Sequence, residues 1–164
     1  MRRLVLICLL ALAVPATALA LPHDKGDGTL VVRNASGKVS VLGAKGSVLG
    51  HVDKGQVYVY DWNPFDGKAP EVYGADKSVQ RSPQLTVYSG TGIRFRFFGA
   101  RSYSLRIVGS GIDVAAVGQG RVQLSGAGTL DDGQYSIDGA DFANMPSVLF
   151  SGTFGQVTAP ALGG

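Results

Sequence analysis

Short stretches in which apolar and polar residues alternate recur along most of the chain. They are separated by Gly, Asn and Asp at intervals of roughly 8–12 residues, a spacing typical of β-strands joined by tight turns. Alternate side chains of a strand lie on opposite faces of a sheet. The pattern predicts strands at 29–33, 38–42, 47–52, 56–61, 84–88, 93–98, 103–108, 112–116, 121–125, 134–138 and 147–157, the last broken at Ser151-Gly152.

The same alternation suggests how neighbouring strands pair. When two strands joined by a short loop are aligned in antiparallel register, their apolar residues should share one face. Each of three neighbouring pairs passes this test on its own sequence, and together they predict an antiparallel meander. The pairs are 30–33 with 38–41, 48–52 with 57–61, and 93–98 with 102–107.

These patterns predict an all-β fold in which antiparallel meanders form a β-sandwich or a closed barrel. A short glycine-rich β-solenoid is the alternative. A closed barrel would also admit a small ligand into a cavity lined by Phe95 and Phe97. The longest irregular stretch is predicted at 62–83, and one helical turn at 141–145.

An internal repeat is visible in the predicted β domain. Residues 30–48 and 105–122 share a Leu, a Ser-Gly step, a Val-rich step and a closing Val. Extended to 28–66 and 103–142, the repeat would give two related meanders packed about a pseudo-twofold axis. Similar glycine and valine content is the other explanation for the likeness.

The first twenty residues resemble an export signal. A short basic segment is followed by an apolar run from Leu4 to Val14, which is too short to span a bilayer, and then by the cleavage sequence Ala18-Leu19-Ala20. We therefore predict that the protein is secreted to the extracellular space or the bacterial cell envelope. The predicted divisions are a cleaved signal peptide at 1–20, a loose leader at 21–27, a single β domain at 28–157 and a loose tail at 158–164.

Removal of the signal changes the charge and the cysteine content. Arg2 and Arg3 would leave, so 15 − 2 = 13 basic residues face 12 acidic ones. A net charge near +1 gives no support for nucleic-acid binding. Cys8, the one cysteine, would leave too, so the secreted domain would hold neither a disulfide nor a thiolate metal site. No second apolar segment long enough for a membrane span follows.

Aromatic residues form the first candidate binding surface. Tyr58, Tyr60 and Trp62 alternate along one strand and so share a face, with His51 expected on the neighbouring strand. Exposed rings stack on sugar faces because they combine apolar area with a polar tip. This hypothesis predicts that Tyr60 and Trp62 are exposed and coplanar. The alternative is that the rings belong to a buried second layer.

Arginines form the second candidate surface. The pairing of 93–98 with 102–107 places Arg94, Arg96 and Arg106 together on the outer face, where they would suit an anionic polymer of the cell wall. Like charges on adjacent strands repel, so something must compensate the three arginines. The alternative to an anionic ligand is an acidic residue on a neighbouring strand.

Catalytic and metal-binding motifs are scarce. No Gly-x-Ser-x-Gly nucleophile motif occurs, and no cofactor or metal is predicted. Asp61, Asn63 and Asp66 could offer oxygen ligands, but their spacing is that of a turn, as is the Asp131-Asp132 pair. Paired aspartates, of the kind that hydrolyse glycans, are the remaining enzymatic option.

Three segments resemble a group of small secreted proteins in actinobacteria. They are VDKGQVYVYD at 52–61, FDGKAP at 65–70 and GIDVAAVGQGRVQLSGAG at 111–128. The resemblance covers most of the chain after the signal. It implies export and a β fold, and it implies neither an activity nor functional residues.

The sequence thus predicts a secreted, non-catalytic β domain that binds or scaffolds in the envelope or outside the cell. Its expected partner is a cell-wall glycan or an anionic wall polymer. A hydrolase that acts on such a glycan through paired aspartates is the alternative.

Overall fold

A computed structural model describes residues 26–65 and 70–155. The predicted signal peptide, residues 21–25 of the leader and the predicted tail lie outside these ranges. The described chain is all-β, which confirms the predicted fold class. No helix that could cross a membrane is found among the described residues. The strands are β1 (Gly28–Asp61), β2 (Glu71–Tyr73), β3 (Lys77–Gln80), β4 (Leu85–Gly126), β5 (Gln134–Ile137), β6 (Ala143–Asn144) and β7 (Phe150–Phe154).

Two of these strands are far longer than usual. β1 has 34 residues and β4 has 42, whereas strands in globular proteins usually have about 3–10. A straight strand as long as β1 would measure about 110 Å. A domain of this size has a radius of gyration of only about 14 Å. Both strands must therefore bend repeatedly, and they do so together as an antiparallel pair.

The pair winds so that each long strand has the other on both sides. Ser40 of β1, for example, lies opposite Arg106 of β4 on one side and Gln123 of β4 on the other. Arg106 in turn lies between Ser40 and Tyr58. We call each stretch of β1 or β4 between two bends a pass. Successive passes of the two strands lie side by side and form one continuous antiparallel sheet.

Glycines mark the places where the sheet bends. In β1, Gly28, Gly37, Gly46 and Gly55 recur every nine residues, and each has at least one glycine of β4 as a cross-strand partner. Two glycine rows result, each crossing several passes of the sheet. The first row is Gly28, Gly118 and Gly46, and the second is Gly126, Gly37, Gly109, Gly55 and Gly90.

Neighbouring backbones approach too closely at these rows for any side chain. A Cβ atom on Gly118 would lie 2.0 Å from the carbonyl oxygen of Lys45, and one on Gly46 would lie 2.1 Å from that of Val117. Gly118 also has a φ of 142° and Gly46 a φ of 124°, which other residues rarely adopt. The glycine rows are therefore a steric requirement of the bend.

Irregularities shortly before the corner glycines keep apolar side chains inside the fold. The pairing of β1 with β4 is irregular between Val32 and Ala35 and between Leu42 and Ala44, and there the inward positions change from even to odd numbers, or back. The buried apolar residues of β1 are Leu30 and Val32, then Ala35, Val39 and Val41, then Ala44, Val48 and Val52, then Val57 and Val59. The sheet thereby folds into two layers that share one core.

Each layer is bordered by short strands. Across the first layer, the order is β5, 28–33, 112–118, 46–52, 93–97 and β2. Across the second, it is β7, 120–126, 37–42, 103–109, 55–61, 85–90 and β3. The arrangement is sandwich-like and is not closed into a barrel. Adjacent passes are antiparallel, unlike the stacked parallel coils of a β-solenoid.

The predicted hairpins are wrong, although the strand positions within them are largely right. Residues 30–33 pair with β4 and β5, not with 38–41. The chain stays in the extended conformation through 99–101, so 93–98 and 102–107 do not pair either. The predicted pairs would need reversing loops at 34–37, 53–56 and 99–101, whereas these residues lie within the long strands.

Smaller predictions also need correction. The stretch 62–83 contains β2 and β3, which add to the edges of the two layers. Residues 141–145 contain the short strand β6 in place of a helical turn. In the described part of the strand predicted at 147–157, the extended residues are those of β7. Phe95 and Phe97 are buried in the shared core and line no barrel cavity. The internal repeat stays a prediction.

We predict that Gly118→Ala lowers the free energy of unfolding by about 2–3 kcal/mol, because the new Cβ meets a backbone oxygen and the residue has a strained φ. Urea unfolding followed by circular dichroism measures the change. Gly43→Asn is the control, since Gly43 has open space around it and a φ of 57°, which Asn tolerates. Equal stability of the two variants would contradict the proposed role of the glycine rows.

Candidate functional site

The structure divides the predicted site residues between the two layers. Tyr58, Tyr60 and Arg106 point outward from the second layer, where Arg106 lies opposite Tyr58. Arg94 and Arg96 project from the first layer, together with His51. The prediction of a single surface formed by all three arginines is therefore wrong, because the hairpin that would join 93–98 to 102–107 does not form.

The aromatic face consists of Tyr58, Tyr60, Trp62 and Arg106. The Arg106 guanidinium carbon lies 5.9 Å from the centre of the Tyr58 ring, within the usual range for a cation–π contact. The Tyr58 hydroxyl donates a 2.7 Å hydrogen bond to Oε1 of Gln56. A cation and three rings thus share one outer surface, a combination that the predicted hairpins did not bring together.

The two outermost rings are accessible, but they do not form a flat platform. Trp62 is 57% exposed, and Tyr60 is half-buried. Their ring centres are 4.5 Å apart and their planes are inclined at 60°. The prediction of coplanar rings is wrong, as is the alternative of a fully buried aromatic layer. The face offers two inclined planes, each of which could contact a different sugar ring.

A groove crosses the outer side of the first layer and has a volume of about 500 Å³. Its floor is aliphatic and comes from Val31, Ala115 and Leu49, which are successive cross-strand neighbours. Its polar wall contains Arg94 and His51, also neighbours across the sheet. Pockets of this size, apolar with a few polar groups, are typical of small-ligand sites.

One end of the groove is held by an exposed ion pair. Nε and Nη2 of Arg96 lie 2.7 and 2.6 Å from Oε2 of Glu71, and the Tyr73 hydroxyl donates a hydrogen bond to the same carboxylate oxygen. The hydrogen bond from Tyr73, followed by that from Arg96, lowers the pKa of Glu71. The bond to Glu71 raises the pKa of Tyr73. An acid on a neighbouring strand therefore compensates Arg96, as one alternative predicted.

Two aspartates approach His51 from opposite sides. Nε2 of His51 lies 3.6 Å from Oδ1 of Asp53, and Nδ1 lies 4.0 Å from Oδ2 of Asp113. Asp113 also accepts a 2.9 Å hydrogen bond from the backbone N–H of Asn34. Among the residues that the structure describes, no group of three His, Cys, Asp or Glu side chains is arranged to hold a metal ion.

Asp61 and Asp132, which the sequence also singled out, accept hydrogen bonds within turns. Asp61 accepts a 2.9 Å hydrogen bond from the backbone N–H of Asn63, while Asp66 lies outside the described residues. The Asp132 carboxylate accepts hydrogen bonds from the hydroxyl and the N–H of Thr129 and from the N–H of Gly128. These bonds, led by the Thr129 hydroxyl, lower the pKa of Asp132.

Sequence reasoning missed several groove residues. Tyr73 and Glu71 belong to β2, which fell in a stretch predicted to be irregular. Asp113 was not singled out, because its proximity to His51 depends on the pairing of β1 with β4. Glu71 is the sole glutamate of the chain, the one signal that could have drawn attention to it.

Comparison of the chain with protein-family models, with curated proteins and with solved structures finds no significant match. Function must therefore be argued from the two surfaces themselves.

We predict that Tyr73→Phe and Arg96→Ala each raise the pKa of Glu71 towards its ordinary value of 4.5, since each removes a hydrogen bond to the carboxylate. Because the folded-state pKa is depressed, the stabilising effect of the pair is present above pH 4.5 and is lost as the pH falls through the folded-state value. Carbon-13 NMR of glutamate-labelled protein reports Glu71 alone. Arg121→Ala, at an exposed arginine on the second layer, is the control. An unchanged Glu71 titration in both test variants would refute the assignment.

Proposed function

We propose that the protein is a secreted, non-catalytic binding module that attaches to an anionic glycan of the cell wall or extracellular space through the aromatic face. The observation that supports this proposal is the placement of Arg106 against Tyr58, beside the exposed ring of Trp62. A sugar ring gains by stacking its apolar face on an aromatic ring. A guanidinium forms paired hydrogen bonds with a carboxylate or phosphate on the same polymer.

The inclination of Tyr60 and Trp62 suits a flexible chain better than a crystalline surface. Coplanar rings are needed to lie against a flat array of sugars, whereas rings inclined at 60° contact successive sugars of a twisted chain. The proposal therefore favours a soluble or loosely packed polysaccharide. Most of the binding energy is expected from the rings, and the preference for acidic over neutral chains from Arg106.

Fluorescence of Trp62, the sole tryptophan, provides a direct binding assay. We expect a hexamer of glucuronic acid to shift its emission, and cellohexaose, which is neutral, to bind at least about fivefold more weakly. Tyr60→Ala should weaken both ligands about tenfold. Arg106→Gln should weaken only the acidic one, because it removes the charge and leaves the rings in place.

The matched control is Arg94→Gln, which removes an exposed arginine from the other layer. It should bind the acidic hexamer like the unmodified protein. Loss of binding in Arg94→Gln together with normal binding in Arg106→Gln would move the glycan site to the groove. No emission change with either oligosaccharide or with purified wall polymers would reject the proposed function.

The enzymatic alternative has one specific observation in its favour, the approach of Asp53 and Asp113 to His51. Glycan hydrolysis by two carboxyl groups requires one to donate a proton while the other assists at the sugar carbon. Under that alternative, the protein releases new reducing ends from wall glycans and Asp113→Asn abolishes the release. Under the proposed function, neither the unmodified protein nor Asp113→Asn releases reducing ends.

A further inference from the structure

We propose that the groove of the first layer is a second binding site, independent of the aromatic face, and that it binds a free fatty acid. The carboxylate would pair with Arg94, and the acyl chain would lie on the floor formed by Leu49, Ala115 and Val31.

The floor is suited to an alkyl chain, whereas the exposed ring of Tyr73 lies at the end of the groove, beside Arg96. Its three residues are aliphatic and form one line across the sheet, from Val31 through Ala115 to Leu49. Leu49 is 41% exposed, although it lies on a sheet with a large buried core. An alkyl chain on this line would remove aliphatic surface from water, which is the main source of affinity for such ligands. Sugars depend more on aromatic rings and on many hydrogen bonds.

The charges around the groove suit a ligand with one negative charge. Arg33, Arg94 and Arg96 contribute three positive charges, and Glu71, Asp53 and Asp113 contribute three negative ones, so the charges balance at 3 − 3 = 0. A polyanion would bring several charges close to the three carboxylates and be repelled by them. A fatty acid brings one.

Among the three arginines, Arg94 is the one left to receive the carboxylate. Arg96 is already bound to Glu71, and the guanidinium of Arg33 lies 4.1 Å from the centre of the Phe142 ring. Arg94 is exposed, and its side chain has no ion pair, hydrogen bond or ring contact within 26–65 and 70–155. It lies one strand from His51 and two residues from Arg96, at the edge of the aliphatic floor.

Calorimetric titration of the protein with octanoate, decanoate and dodecanoate, each below its micellar concentration, tests the proposal. We expect the affinity to rise about two- to fourfold for each added methylene until the chain fills the groove. Decanol, which has the same chain without the charge, should bind at least about tenfold more weakly than decanoate. Equal binding of decanol and decanoate would overturn the role of Arg94, and absence of a chain-length effect would overturn the role of the floor.

Variants locate the site. Arg94→Gln should weaken decanoate about tenfold and leave decanol unchanged, whereas Leu49→Asn should weaken both. Arg106→Gln, on the other layer, is the matched control and should leave decanoate binding intact. If Arg106→Gln weakens decanoate as much as Arg94→Gln does, the effect is general electrostatics and the site is refuted. Binding of the glucuronic acid hexamer that is lost in Arg94→Gln would also refute it, since the groove would then be a glycan site.

Discussion

The close approach of backbone to backbone at the two glycine rows is the constraint on which this fold depends. At Gly46 and Gly118 the neighbouring chain leaves no space for a single carbon atom, and both residues adopt φ values that favour glycine. These contacts let β1 and β4 turn sharply with only local irregularities in their pairing. They convert two very long strands, which would otherwise form an extended ribbon, into two layers around a shared core.

The same bends decide which side chains can cooperate. Each long strand crosses from one layer to the other at every bend. Arg96 and Arg106 are only ten residues apart on β4, but they lie in different layers and belong to different surfaces. Conversely, His51 and Arg94 come from strands far apart in sequence and become direct neighbours. The aromatic face combines rings with a cation, whereas the groove combines an aliphatic floor with Arg94 and carries the ring of Tyr73 beside Arg96 at one end.

Much of the local structure could be predicted from the sequence, and most of the pairing could not. Alternation located the strands and identified inward residues such as Phe95 and Phe97, because burial of one face leaves a direct signal. Pairing failed because glycine within an extended strand and glycine in a reversing turn look alike locally. The signal that could have distinguished the two kinds of glycine is the regular nine-residue spacing of Gly28, Gly37, Gly46 and Gly55. The groove was missed because β2 is too short to show any alternation.

The winding of β1 and β4 around each other also determines how the molecule can come apart. Each long strand passes through both layers, so neither layer corresponds to a contiguous piece of chain that could fold alone. Cross-strand partners are 85 − 60 = 25 residues apart at Tyr60 and Leu85 but 118 − 28 = 90 residues apart at Gly28 and Gly118. Loop closure costs less entropy for the nearer partners. We expect assembly to proceed from that end, slowly, as one cooperative transition that calorimetry would record as a single peak.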